Sequence, residues 1–288
     1  MRRIVMPQPT DSGTVKGIIS ALRGRYGFLE AMPIGQSVQK REITGIILGA
    51  GRDRILYTAG FGGWDWLSTF LLLRFCEDLC IELEKGGSIV DISITEALSG
   101  RSLVFIPQVN PDGADIAVHG SGAAGEYARL IRESDGNNPG VWQANARGVD
   151  ISLNFNAGWE EANQNQGLSV GRWGGELPES EPETSAIVGL CNRAKFRHVL
   201  SFHSRGDSIY WKYNECTPSG ARVMAQVMAA AAQYTVLDDS SSHGRFNSWF
   251  IEQTGRPGFN IQLEQKSLGE YEEYYMRVQE MLLLAALM

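Results

Sequence analysis

The chain has 288 residues, a formal net charge of −7 at pH 7 and 43% hydrophobic residues. That balance predicts one globular domain over 1–288 with a sizeable core. It argues against nucleic acid or an anionic membrane as the main partner, because phosphate binding needs a basic surface, and no apolar run reaches the length of a membrane span.

The opening "MRRIVMPQPTDSG" lacks the apolar core of a secretory signal. Four cysteines, Cys76, Cys80, Cys191 and Cys216, form no C-x-x-C motif. The expectation is a cytoplasmic protein with reduced thiols. Apolar residues recur at helical spacing in "TVKGIISALRGRY", which predicts a first helix. "REITGIILGAG" and "DRILYTAGF" read as strands joined by a glycine turn. The second strand runs through Gly62 and Gly63 into a helix expected from about Leu67 to Glu84. That helix is apolar nearly all round, so it should be buried on several sides, with Cys76 and Cys80 as buried free thiols. "KGG" ends it, and Asp65 stands just before it, where an N-cap is favoured.

"SLVFIPQV" predicts another buried strand, closed by "NPDG" as a turn. Residues 121–140 are polar and glycine-rich and read as a loop, and a second polar loop runs through "EEANQNQGLSVGRWGGELP". Ser180 and Glu183 in "SEPETSAIVGLCNRA" have capping-box spacing at the start of a helix. "HVLSFHS" is a strand that "IYWKY" is expected to continue or pair with. "SGARVMAQVMAAAAQY" is a helix, "PGFNIQL" a strand and "EEYYMRVQEMLLLAALM" a terminal helix. Continuously apolar strands alternating with helices predict an α/β fold with a largely parallel sheet covered on both faces.

Six segments stand in this order along the chain: "IGQSVQKREI", "VNPDG", "WQANARGVDISLNFNAGW", "PESEPET", "LSFHSRG" and "FNSWFIEQTGRPGFNIQL". Together they resemble the zinc carboxypeptidase A-like metallopeptidases, in the bacterial branch that cleaves peptidoglycan stem peptides. The resemblance covers nearly the whole chain. It implies a three-layer α/β/α domain with a mixed, largely parallel central sheet. It also implies a zinc ion held by an H-x-x-E pair and a distant histidine, with a glutamate as general base. Three protein ligands leave one position for water, and the metal lowers that water's pKa.

Carried across residue by residue, the resemblance puts the H-x-x-E pair on Gly62 and Asp65 and the distant ligand on His203. The general base falls on Gln262, which accepts no proton at neutral pH. The Asn-Arg pair that binds a substrate carboxylate falls on Ser152 and Leu153. The cation that polarises the scissile carbonyl falls on Gln143, with Arg147 close by as a partial replacement. The tyrosine of the mobile loop aligns with Ser240. His119 and His243 are weighed as replacement ligands, Glu264 as a displaced base on the face it shares with Gln262, and His198 as a structural residue.

Two expectations follow. In the first, the chain is a degenerate member of the family that keeps the cleft, has weak or no peptidase activity, and binds a peptide or cell-wall-derived peptide or partners an active homologue. With Gly62 in a ligand's place, zinc would be held weakly if at all. In the second, Asp65, His203 and His243 hold zinc in a rearranged site, Glu264 acts as base, and the chain hydrolyses peptides such as peptidoglycan stem peptides.

Overall fold

The computed structural model describes residues 2–135, 138–163, 171–204, 206–238, 242–264, 266 and 270–288. The strands among them are β1 Glu30–Gln36, β2 Glu42–Leu48, β3 Asp53–Thr58, β4 Ser88–Ile89, β5 Ile92–Ser93, β6 Arg101–Ile106, β7 Phe196–Ser204, β8 Ser208–Tyr210, β9 Thr235–Leu237 and β10 Gly258–Leu263. The helices are α1 Ser12–Arg25, α2 Trp66–Lys85, α3 Ile94–Ala97, α4 Pro111–His119, α5 Ala128–Asp135, α6 Trp159–Asn163, α7 Pro182–Arg193, α8 Ala221–Ala232, α9 Phe246–Thr254 and α10 Tyr271–Leu287.

Eight strands form one sheet in the order β1-β2-β6-β3-β7-β10-β8-β9, while β4 and β5 make a separate hairpin. The central run β6-β3-β7-β10 is parallel throughout. The β1-β2, β2-β6 and β10-β8 pairings are antiparallel, and β8-β9 is parallel again. This is the mixed, largely parallel sheet expected from the sequence. Its middle strands are buried along nearly their whole length, β6, β7 and β10 above all. Helices cover both faces, so no alternation with polar residues survives there. On one face α1, α2, α8 and α10 contribute Leu22, Phe70, Met228 and Leu282 to the larger core. On the other, α7 and α9 supply Ile187, Leu190, Phe246 and Phe250. The result is three layers, helix on sheet on helix.

Helix α2 carries the junction to the site. Asp65 caps its start by accepting from Ser68 N at 3.4 Å. Gly86, at φ 65°, closes its end in the left-handed region that a side chain would strain. The helix is buried on several sides, as its composition suggests, and Cys76 and Cys80 are buried free thiols within it. Its buried acids are answered from outside the helix. Glu77 accepts from Ile4 N and Val5 N at 2.8 and 3.0 Å, and Asp78 accepts from Tyr275 Oη and Gln279 Nε2, both at 2.6 Å. Satisfying these carboxylates is what lets so charged a helix lie inside.

Several local expectations are corrected. "NPDG" starts α4: Asn110 Oδ1 accepts from Gly113 N at 2.8 Å, and Pro111 takes the first helical position. Asn serves a turn and an N-cap by the same side-chain bond, so the sequence does not separate them. The span read as a loop over 121–140 contains a 3₁₀ turn, Ser121–Tyr127, and α5. Helix α5 buries little besides Ile131, too sparse an apolar stripe to read as periodic. Ser180 is not the cap of α7. Pro182 opens that helix, Glu181 precedes it, and Glu183 turns away to accept from Val38 N at 3.1 Å. "IYWKY" supplies β8, which pairs with β10 and β9 and not with β7, because β10 lies between them. Strand β1 and helix α9 have no counterpart among the elements read from the sequence. No helix among the described residues is long and apolar enough to cross a membrane.

Candidate functional site

The parallel strands β3, β7 and β10 end at the same edge of the sheet, the usual place for a site in an α/β fold. Strand β3 turns through Phe61-Gly62-Gly63-Trp64 into Asp65 and α2. This turn is fastened to a neighbouring loop by Gly63 N to Gln143 O at 3.1 Å and Trp64 N to Trp142 O at 2.9 Å. Strand β7 brings His203, and β10 brings Gln262 directly opposite it in register. Together they border a cleft of about 500 Å³ that is also lined by Gln143, Asp150, Ser152, Ser204, Arg172 and Arg245.

His203 is buried and stacks on Phe61, ring centres 5.1 Å apart. Burial, and then the charge of Arg245, pushes its pKa down to about 3, so the imidazole is neutral at physiological pH. Asp65 is buried as well, and burial raises its pKa to about 7 against the hydrogen bonds it accepts. Those bonds engage both oxygens. Ser68 N and Ser204 Oγ donate to Oδ1, and Ser204 N donates to Oδ2 at 3.2 Å. Asp65 therefore clasps the end of β7 to the start of α2, beside His203.

Gly62 has its missing side chain replaced by a neighbour. A Cβ built there would lie 2.3 Å from Gln143 Oε1. That oxygen accepts from Trp64 Nε1 at 2.6 Å, and Gln143 Nε2 donates to Asp150 Oδ1 at 3.4 Å. Asp150 also accepts from Ser152 N at 3.1 Å, from Ser152 Oγ at 2.7 Å and from Arg172 N at 3.3 Å. Gln262 donates its Nε2 to Asn260 Oδ1 at 2.7 Å and offers the cleft an amide, not a carboxylate.

Of the residues singled out in the sequence, Asp65, Gln143, Ser152, His203 and Gln262 meet in this cleft beside Gly62. Arg147 does not, which corrects its assignment as a substitute cation. Its guanidinium is 3.6 Å from Glu181 and its side chain borders a different depression, lined by Lys40 and Pro182. Leu153 is corrected too: its side chain is buried and borders no part of the cleft. His243 lies against Tyr213, ring centres 6.0 Å apart. Glu264 pairs with Lys266 at 2.5 Å and Arg277 at 3.5 Å. Neither borders the cleft. His119 pairs with Asp11 at 2.6 Å, and His198 bonds the Ala285 carbonyl at 2.9 Å in the structural role expected of it. Ser240 lies outside the described residues. Arg245, just before α9, is a cleft residue that the sequence reading missed, as are Asp150, Arg172 and Ser204. One arginine in a polar segment carries no local signal, and only the turn of α9 against the sheet brings it beside His203.

The donor set does not fit a zinc ion. Among the described residues, no group of three or more His, Cys, Asp or Glu side chains could hold a metal. At the three positions implied by the resemblance, Gly62 has no donor and lies under Gln143, Asp65 has both oxygens engaged, and only His203 presents a ring without a hydrogen bond.

A family model described as zinc carboxypeptidase matches residues 17–276. The chain belongs to the zinc carboxypeptidase family. Among characterised relatives, it is 31% identical over 260 residues to gamma-D-glutamyl-L-diamino acid endopeptidase 1 of Lysinibacillus sphaericus, an alignment spanning 89% of this chain and 66% of that protein. It is 40% identical over 137 residues to murein peptide amidase A of Escherichia coli K12, covering 42% of this chain and 44% of the relative. The chain thus spans just under two thirds of the first relative's length. In three dimensions it superposes on bovine thrombin-activatable fibrinolysis inhibitor with a TM-score of 0.75 at 19% identity, over 96% of this chain and 95% of the other. That match establishes the carboxypeptidase fold.

The buried acids of this family member make a pH prediction. Burial raises Asp65 to about 7 and Glu183 to about 8, the latter helped by the nearby charges of Asp112 and Glu181. A raised carboxylate binds its proton more tightly when folded, so its contribution is full below its unfolded pKa and is lost as pH rises through the folded value. His198 and His203, lowered to about 4 and about 3, act in the opposite sense. Their contribution grows with pH and is complete above the unfolded histidine value, about 6.5. Between pH 6.5 and 8 the acids therefore govern, and unfolding free energy should fall by on the order of 2 kcal/mol. Urea midpoints across that range check it, and Asp65→Asn with Glu183→Gln should flatten the slope. A wild-type midpoint that holds steady or rises over that range contradicts these protonation states.

Proposed function

We propose that this chain is a peptide-binding member of the zinc carboxypeptidase family in which hydrolysis is weak or lost. The observation that carries the reading is the amide of Gln143 seated over Gly62, hydrogen-bonded to Trp64 and Asp150 where a metal-binding imidazole would enter. Gln262 supports it independently, because an amide takes no proton from a nucleophilic water. The ligand class is a peptide of the kind named for the relatives, with a γ-D-glutamyl-diamino acid linkage or a murein-derived stem. Such a protein serves as a binder of these peptides or as a regulatory partner of an active homologue. The free cysteines Cys76, Cys80, Cys191 and Cys216 support a reducing, cytoplasmic setting.

The test is direct. Protein purified without chelator is assayed for zinc by elemental analysis and incubated with γ-D-glutamyl-meso-diaminopimelate. Substoichiometric zinc, binding and no cleavage are expected. Stoichiometric zinc together with cleavage would overturn the reading in favour of a rearranged metal site.

A further inference from the structure

The cleft is bordered by two cations that the family resemblance does not assign, the exposed Arg172 and the partly buried Arg245. At the positions where the resemblance implies positive charge, this chain has Gln143 and Leu153, both uncharged. Arg245 arrives from a different part of the chain, the residue before α9. Its Nη1 donates to Ser152 Oγ at 2.9 Å, and Ser152 Oγ in turn donates to Asp150 Oδ1 at 2.7 Å. Among the described residues Arg245 makes no ion pair and no further hydrogen bond. A guanidinium carries five N–H donors in a fixed fork, so four remain after the bond to Ser152.

The acids of the cleft do not neutralise it. Asp65 accepts from Ser68 and Ser204. Asp150 accepts from Gln143, Ser152 and the Arg172 backbone. Each carboxylate is thus answered by uncharged donors, while the partly buried guanidinium has no counter-ion among the described residues. Its field reaches His203, one of the two causes holding that imidazole neutral. In a protein of net charge −7, an arginine with no ion-pair partner among the described residues, bordering this cleft, marks where a negative ligand group would sit.

We propose that Arg245 is the specificity-determining residue of this cleft and holds a carboxylate of the ligand through paired N–H donors, with Ser152 fixing the guanidinium. The assignment rests on the peptide-binding reading above for the identity of the ligand, though not for the existence of the anion site. Two parallel N⁺–H···O⁻ bonds match carboxylate geometry, and a lysine provides only a point charge.

The experiment is calorimetric binding to wild type, Arg245→Ala and Arg245→Lys. The probes are γ-D-glutamyl-meso-diaminopimelate, the same peptide with its carboxylates converted to carboxamides, and succinate alone. Thermal melts confirm that each variant is folded. Arg245→Ala should weaken the acid peptide by about 10–100-fold, the range for charge-assisted hydrogen bonds. It should leave the amide form nearly unchanged, and Arg245→Lys should recover part of the loss. If folded Arg245→Ala binds the acid peptide as tightly as wild type, or loses acid and amide alike, the assignment is overturned while the peptide-binding reading stands. If wild type ignores the peptide yet binds succinate in an Arg245-dependent way, the anion site stands and the peptide reading falls. If neither acid probe binds wild type, the assignment fails.

Discussion

Zinc uptake is expected to return in the variant Gly62→His/Asp65→Glu/Gln143→Ala/Gln262→Glu, and to remain weak when Gln143 is kept. The first change supplies an imidazole at the bend. The second lengthens the carboxylate, so that it reaches into the cleft instead of clasping Ser204. His203 already presents a buried, neutral ring. The obstacle is Gln143. Its Oε1 lies 2.3 Å from where the Cβ of residue 62 would stand, held by Trp64 and Asp150. Losing even an outer partner of a metal ligand costs about 10–100-fold in affinity, so a ligand kept out of place costs more than that. The fourfold variant should therefore bind zinc at least on the order of a hundredfold more tightly than wild type in a competitive chelator titration. Two results would sink the idea. A folded fourfold variant that takes up no zinc means that the bend is not an emptied metal cradle. A threefold variant lacking the Gln143 change that binds just as tightly means that Gln143 is no obstacle.

Gly63→Ala should destabilise the protein by about 3 kcal/mol or more, while Gly62→Ala should cost less than about 1.5 kcal/mol. Neither glycine has a left-handed backbone, so the contrast is one of space. A Cβ on Gly63 would meet the Gly113 carbonyl oxygen at 2.3 Å and the Trp142 oxygen at 2.7 Å. Both are backbone atoms, one at the start of α4 and one in the loop hydrogen-bonded to the bend, and neither can rotate away. A Cβ on Gly62 meets only the far end of the Gln143 side chain, which can shift enough to clear a methyl, though not the larger imidazole of a histidine. Chemical denaturation of the two single variants decides the matter. Equal losses, or a larger loss at Gly62, would show that the bend is not packed as described.

Much of the fold was legible because its signals are local and redundant. The continuous apolar runs of β3, β6, β7 and β10 and the long apolar α2 with its glycine ending announce buried strands and a buried helix. Asp65 was readable both as a helix cap and as a site position, and it fills the first role while its remaining bonds hold Ser204. The errors fall where one residue type serves two local structures. Asn110 opens a helix and not a turn, and Pro182 moves the start of α7 past the expected cap at Ser180. Nearness in sequence to Gln143 makes Arg147 a cleft candidate, but it is not nearness in space. The chain turns between them, and Arg147 faces Glu181.

The α/β class with its largely parallel sheet can be read from hydrophobic periodicity, and covalent structure alone says which groups are missing: glycine at 62 has no donor atom, and glutamine at 262 has no basic oxygen. The family and the three layers are implied by the resemblance of six segments, all of them written along the chain. Three-dimensional packing alone decides that the amide of Gln143 fills the space above Gly62, that both oxygens of Asp65 accept from Ser204, and that Arg245 lies beside Ser152 with no counter-ion among the described residues. Each of these facts joins residues from elements far apart in the chain. Which groups share a cleft depends on how β3, β7, β10 and α9 converge, and no local pattern encodes that.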